Sequence, residues 1–134
     1  PLENEYNKVG LGIVGELDKA MTKTQFLKHI KRILKTPCLR YSNYENDKIS
    51  TVAFCGGSGS QLIQNAIKQK ADAFVTADLS YHQFEIDNKL LLIDAGHFET
   101  EVLFKDFFEN ILSEININFV VFKSETELNH INYF

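Results

Sequence analysis

His97 follows a glycine at the foot of an apolar run, and Glu101 stands four residues beyond it, in the stretch IDAGHFETE. A helix rises about 1.5 Å per residue, so the two would lie roughly 6 Å apart along it and share a face. An imidazole and a carboxylate so placed converge on one cation. The same stretch also fits an ordinary helix start with a solvated carboxylate, and spacing alone leaves both readings open. Asp94, just upstream, is placed to orient the imidazole, and Glu99 points to another side of the helix. Two donors do not complete a metal site, which takes three or four, so a metal here needs protein from outside this segment.

Two further stretches carry polar groups at strand ends. In CGGSGS, residues 55–60, Gly56, Gly57, Ser58 and Gly59 could expose backbone N–H groups to a phosphate or carboxylate. No Gly-Lys-Ser/Thr follows, so it is not a Walker loop, and Leu62 replaces the third glycine of a dinucleotide fingerprint. A tight turn capped by Ser58 or Ser60 explains the stretch equally well. In TADLSYH, residues 76–82, Thr76, Asp78, Tyr81 and His82 offer groups for ligation, hydrogen bonding or proton transfer. Taken alone, a turn with a cap is the plainer reading of them.

The elements that must position these residues follow from the apolar pattern. VGLGIVGEL is a short strand loosened by glycines. TKTQFLKHIKRILKT is a helix opened by a capping Thr, with Phe26, Leu27, Ile30, Ile33 and Leu34 on one stripe and Pro37 at its end. CLRYS, ISTVAFC, ADAFVTAD and LLLID read as strands, with QLIQNAIKQK as a helix between the second and third of them. LLLID is apolar at all but its last position, which predicts burial on both faces. GHFETEVLFKDFFENILSEI reads as one long amphipathic helix whose phenylalanines enter the core, and INFVVFKS as a last strand. Strands alternating with helices give an α/β domain with a mixed, largely parallel sheet and helices on both faces. Residues 1–134 form one domain, and 134 residues suffice for a single core.

Composition bounds the function. A net charge of −4 argues against a large nucleic-acid footprint, although Lys28, Lys31, Arg32 and Lys35 form a local basic face. No apolar run reaches the length of a membrane span. Cys38 and Cys55 form no Cys-x-x-Cys motif and read as buried, reduced thiols, which points to the cytoplasm. The chain begins at Pro1 rather than Met, as expected of a processed product or a part of something longer.

VAFCGGSGSQLIQNAIKQKADAFVTADLSYH, followed by LLLIDAGHFETE, resembles the carboxyl-terminal half of the Nif-three-like proteins. These are also known as dinuclear metal centre hexameric proteins or GTP cyclohydrolase 1 type 2 homologues. The family pattern reads Val-Ala-x-Cys-Gly-Gly-x-Gly, then Ala-Asp-x-x-x-Thr-Gly/Ala-Asp/Glu with a following Tyr-His, then Asp-x-Gly-His-x-x-x-Glu. All three blocks stand here in order, and PLEN…VGLGIVGEL resembles the segment that resumes the family core after an inserted domain.

The resemblance implies one half of a fold of two similar, intertwined α/β lobes, assembled into a ring-shaped hexamer. It implies that His97 and Glu101 are two ligands of a centre of two divalent ions, with Zn, Mn or Fe all suited to the donors. The remaining ligands would come from a histidine pair and an aspartate in the amino-terminal lobe, and this sequence has no such pair. His82 and Asp78 match positions near the family's metal pocket, which makes His82 a candidate for proton transfer. Gly56, Gly57, Ser58, Gly59, Thr76 and Asp78 become candidates for contacting an unidentified small-molecule substrate. The expected function is thus the carboxyl-terminal part of a metal-dependent hydrolase-like protein. The alternative is a non-enzymatic module that binds a small anion or serves protein interaction and assembly.

Overall fold

In the sheet of the computed structural model, which describes residues 10–115, 120–126 and 128–134, the centre is parallel and both edges are antiparallel. The strands are β1 (Ile13–Thr22), β2 (Arg40–Tyr41), β3 (Lys48–Ser58), β4 (Ala73–Ala77) and β5 (Leu91–Asp94). Their order is β1-β3-β4-β5-β2. β3, β4 and β5 run parallel, while β1 pairs antiparallel with β3 and β2 with β5. The carboxyl ends of the three parallel strands therefore open on one rim of the sheet.

Alternating side chains on these strands feed two cores. On one face Ala53, Phe74 and Leu92 pack with Leu62, Ile63 and Ala66, the last two from α2 (Ile63–Lys68). On the other, Ile49, Ala73, Val75, Leu91 and Ile93 pack with Phe26 and Ile30 of α1 (Lys23–Ile33). Every residue of β4 and β5 is buried, as the unbroken apolar run of LLLID predicts. Thr22 caps α1 in a reciprocal box: its hydroxyl accepts from Gln25 N at 3.2 Å, and its own N–H donates to Gln25 Oε1 at 2.9 Å. Phe26, Ile30 and Leu34 face inward as expected, whereas Ile33 is exposed.

The long helix expected over residues 96–115 is two helices. α3 (His97–Glu101) ends at Val102, and α4 (Phe104–Glu114) starts after it. α4 has no buried residue, and Phe104, Phe107 and Phe108 are 61%, 59% and 47% exposed. The expectation that these phenylalanines enter the core is therefore corrected. The amphipathic stripe is real, but the sheet layers are already covered by α1 and α2, so α4 lies outside them. Lys123 pairs with Asp106 at 2.8 Å and Glu109 at 2.9 Å, laying residues 120–126 along α4. Those residues carry no strand; the beginning of INFVVFKS, residues 117–119, lies outside the described residues.

The cysteine expectation holds for Cys55, which is buried in β3, and fails for Cys38, which is exposed just before β2. Burial, and then the nearby Glu101 carboxylate, push the Cys55 thiol above its ordinary pKa. Two outcomes follow. Phe74→Ala, which empties a fully buried position, should cost about 3–5 kcal/mol in urea unfolding. Under native conditions a thiol reagent should modify Cys38 well before Cys55, as read by peptide mass spectrometry, with equal rates contradicting the burial.

Candidate metal-ligand site

Three strand ends converge where the sequence places its polar blocks. β4 leaves the sheet through Asp78, at φ 56°, a left-handed turn that Asp tolerates better than most residues. β5 passes through Ala95 and Gly96, at φ 91°, and His97 opens α3. Near the end of β3 the ladder with β4 is irregular. Phe54 lies opposite Val75 and Ser58 opposite Ala77, so four steps along β3 span two along β4. The extra residues bulge toward α3, as bulges commonly do beside functional groups.

His97 is held from both sides. Its Nδ1 lies 2.5 Å from Asp78 Oδ2, and its Nε2 lies 3.2 Å from Glu101 Oε2. An Nδ1–H donated to Asp78 leaves Nε2 as the nitrogen that faces Glu101. The Asp78 hydrogen bond first, with further help from the Asp78 and Glu101 charges, raises the His97 pKa against the opposing effect of burial. All three side chains are about half exposed, so solvent screens these pairs.

Gly57 completes the approach. Its N–H donates to Thr100 Oγ1 at 2.9 Å, and its carbonyl accepts from Thr76 Oγ1 at 3.0 Å. A Cβ on Gly57 would overlap the Glu101 carboxylate and stand 3.2 Å from His97 Nε2. Gly59 is equally confined, against Thr76 and Cys55. The glycines thus admit close packing of β3 on α3, and the Gly57 N–H is consumed within the protein rather than offered to an anion. Ser58 is exposed, whereas Thr76 is fully buried.

Asp94 does not orient His97, as its position in sequence suggests. It is buried and accepts from Leu79 N at 3.0 Å, from Gly96 N at 3.2 Å and from Arg40 Nη2. Asp78 takes the orienting place instead, because the turn after β4 carries it across to α3. His82 sits apart from this cluster: its side chain is 86% exposed and meets Glu85 Oε1 at 3.8 Å and the Tyr81 ring edge-on.

Thr100 and Arg40 are positioning residues that the sequence reading missed. Thr100 shares its hydroxyl proton between the carbonyls of Gly96 and His97, each 2.9 Å away, while accepting from Gly57. Its signal was a β-branched polar residue within the helix face that also carries His97. Arg40 had no local signal, since its partner Asp94 is 54 residues away.

The donors fit part of a metal shell. An imidazole nitrogen freed by a carboxylate on the other ring nitrogen, a carboxylate one turn on, and a neighbouring glycine with no side chain to intrude suit a divalent ion. Among the described residues no group of three or more His, Cys, Asp or Glu is arranged to hold one. His97 and Glu101 therefore fit two places of a shell and leave the others to be filled from elsewhere.

The family model described as Duf34/NIF3 (NGG1p interacting factor 3) matches residues 1–129. A Staphylococcus epidermidis protein named GTP cyclohydrolase 1 type 2 homolog is 32% identical over 136 residues, covering 97% of this chain and 37% of its own length. A Clostridium acetobutylicum protein of the same name is 33% identical over 127 residues, covering 90% of this chain and 47% of its own. Among crystal structures, a Staphylococcus aureus protein superposes with a TM-score of 0.79 at 32% identity, over 93% of this chain and 42% of that one. A Bacillus cereus protein related to NIF3 superposes at 0.76 and 27% identity, over 93% and 36% respectively. The chain spans less than half the length of each of these relatives. Sequence and fold agree, and the chain belongs to the Duf34/NIF3 family.

Proposed function

We propose that this chain is the carboxyl-terminal α/β lobe of a dinuclear-metal-dependent, hydrolase-like protein, and that His97 and Glu101 are two ligands of its metal centre. The observation that carries this reading is the grip on His97. Asp78 occupies Nδ1, so Nε2 is turned toward Glu101 as the ligating nitrogen. The other ligands come from the amino-terminal lobe of the same protein. Imidazole and carboxylate donors suit Zn, Mn or Fe. When bound, such ions polarise the bond to be hydrolysed and make a water acidic at neutral pH.

The chain's own residues then have separable tasks. Asp78 fixes the tautomer and ring angle of His97. Thr100 fastens Gly57 beside the pair, which keeps side chains out of the space around Nε2. Ser58, exposed on the bulge, is the substrate contact best placed of the glycine-rich stretch, while Gly56, Gly57, Gly59 and Thr76 shape the wall behind it. His82, on the turn after β4, is the proton-transfer candidate, and among the described residues it meets Glu85 and Tyr81. The substrate is a small molecule of unassigned class, and the protein acts in the cytoplasm.

A second reading, an assembly module, is favoured by one observation: the exposed phenylalanine face of α4. Phe104 and Phe108 stack with centroids 5.6 Å apart and are not covered by the sheet. Contiguous exposed apolar surface of this kind marks interaction sites. In a full-length protein the face would pack against other lobes or subunits of a hexameric ring, and the two readings are compatible.

In a full-length protein His97→Ala should abolish metal loading measured by elemental analysis. Asp78→Asn should weaken metal affinity about 10–100-fold in a calorimetric titration. Unchanged metal content in the His97 variant would remove the ligand assignment. For the assembly reading, Phe108→Asp should dissociate the full-length oligomer in light scattering, and a full-length parent that is strictly monomeric rules the ring out.

A further inference from the structure

We infer that residues 128–134 form a strap, latched on Glu99, that controls entry to the hollow beside His97. Glu99 lies in the first turn of α3, a place where a carboxylate would ordinarily be solvated, yet it is only 6% exposed. Its burial comes with partners from the strap. Asn129 Nδ2 donates to Glu99 Oε1 at 3.1 Å, and the Tyr133 hydroxyl lies against the same carboxylate. Burying a carboxylate is costly unless it is hydrogen-bonded, so the strap and Glu99 are favourable only together. Gly96 makes the seat: a Cβ there would overlap the Glu99 carboxylate and stand 3.3 Å from the Tyr133 hydroxyl.

The strap has one further role. Ile131 and Tyr133 form one wall of a hollow of about 370 Å³ whose other walls include Cys38, Arg40, Asp78, Asp94 and His97. The volume suits a small molecule. It lies on the Asp78 side of the His97 ring, the side away from Glu101.

Outside the latch the strap is weakly held. It has no regular secondary structure, and Leu128, Ile131 and Phe134 are exposed. Segments with few buried contacts open locally at little cost, while the sheet beneath stays intact. A hydrogen-bonded latch on one carboxylate therefore separates two states. When latched, Tyr133 walls the hollow; when released, the Asp78 side of His97 opens to small polar ligands.

Cys38 is a reporter already in the hollow, and it reads the strap whether or not His97 holds a metal. The test is alkylation of Cys38 by a bulky maleimide in the full chain, with peptide mass spectrometry resolving Cys38 from Cys55. The Asn129→Ala/Tyr133→Phe double variant and the Glu99→Ala variant, which removes the acceptor of the Asn129 hydrogen bond, should each label Cys38 several-fold faster than the parent. Cys55 should stay protected, which certifies the fold. An unchanged Cys38 rate in both variants would overturn the strap. His97→Ala should leave the difference between latched and unlatched forms intact, so failure of the metal-ligand reading and failure of the strap are separate results.

Discussion

One buried carboxylate organises the functional rim. Asp94, at the end of β5, binds the Arg40 guanidinium, the Leu79 N–H and the Gly96 N–H. Arg40 belongs to the edge strand β2, Leu79 to the turn after β4, and Gly96 to the entry of α3. A charge taken out of water is tolerated only when its lone pairs are satisfied, and here each partner arrives on a different element. Arg40 also donates to the Leu79 carbonyl at 2.8 Å, and its guanidinium lies over the Phe84 ring. Losing this node would release the turn that delivers Asp78 and the turn that delivers His97 at once. The distance between those two side chains depends on a residue that touches neither.

Much of the frame was legible because it is local. Alternation and apolar runs gave β3, β4 and β5, and the Thr22–Gln25 box and the Phe26, Ile30, Leu34 spacing gave α1. The i, i+4 relation of His97 and Glu101 also survived folding, since it depends on a single helical turn. What failed was non-local. An amphipathic pattern announces that α4 has an apolar face, but not whether this chain supplies anything to cover it. Asp94 looked like the orienting carboxylate because it is near His97 in sequence. The sheet instead turns Asp94 inward, and a left-handed residue after β4 brings Asp78 across 19 positions. Cys38 misread for the same reason: the strand expected over CLRYS is only the edge pair Arg40–Tyr41, too short to bury what precedes it.

The His97–Glu101 pair and the exposed face of α4 both lie outside the two covered faces of the sheet. The chain matches its relatives over most of its own length but over less than half of theirs. On the proposed reading, the His97–Glu101 pair at the rim and the apolar helix outside the sheet layers would both be surfaces for additional protein. Both faces of the sheet are nonetheless covered within this chain, one by α2 and the other by α1.

The bulge near the end of β3 carries a final consequence. The stretch CGGSGS looks like a loop in which a residue could be added or removed without harm. It is instead a counting device, because the four-against-two step between Phe54 and Ser58 sets the phase with which β3 meets β4. Side chains on a strand alternate between faces, so a change of one residue there would exchange inside for outside on one side of the irregularity. Either Gly57 would be replaced beside His97 and Glu101 by a residue with a Cβ, or Ala53 and Cys55 would swap cores with Val52 and Phe54. The length of this glycine-rich stretch is therefore as much a part of the site as the identity of His97.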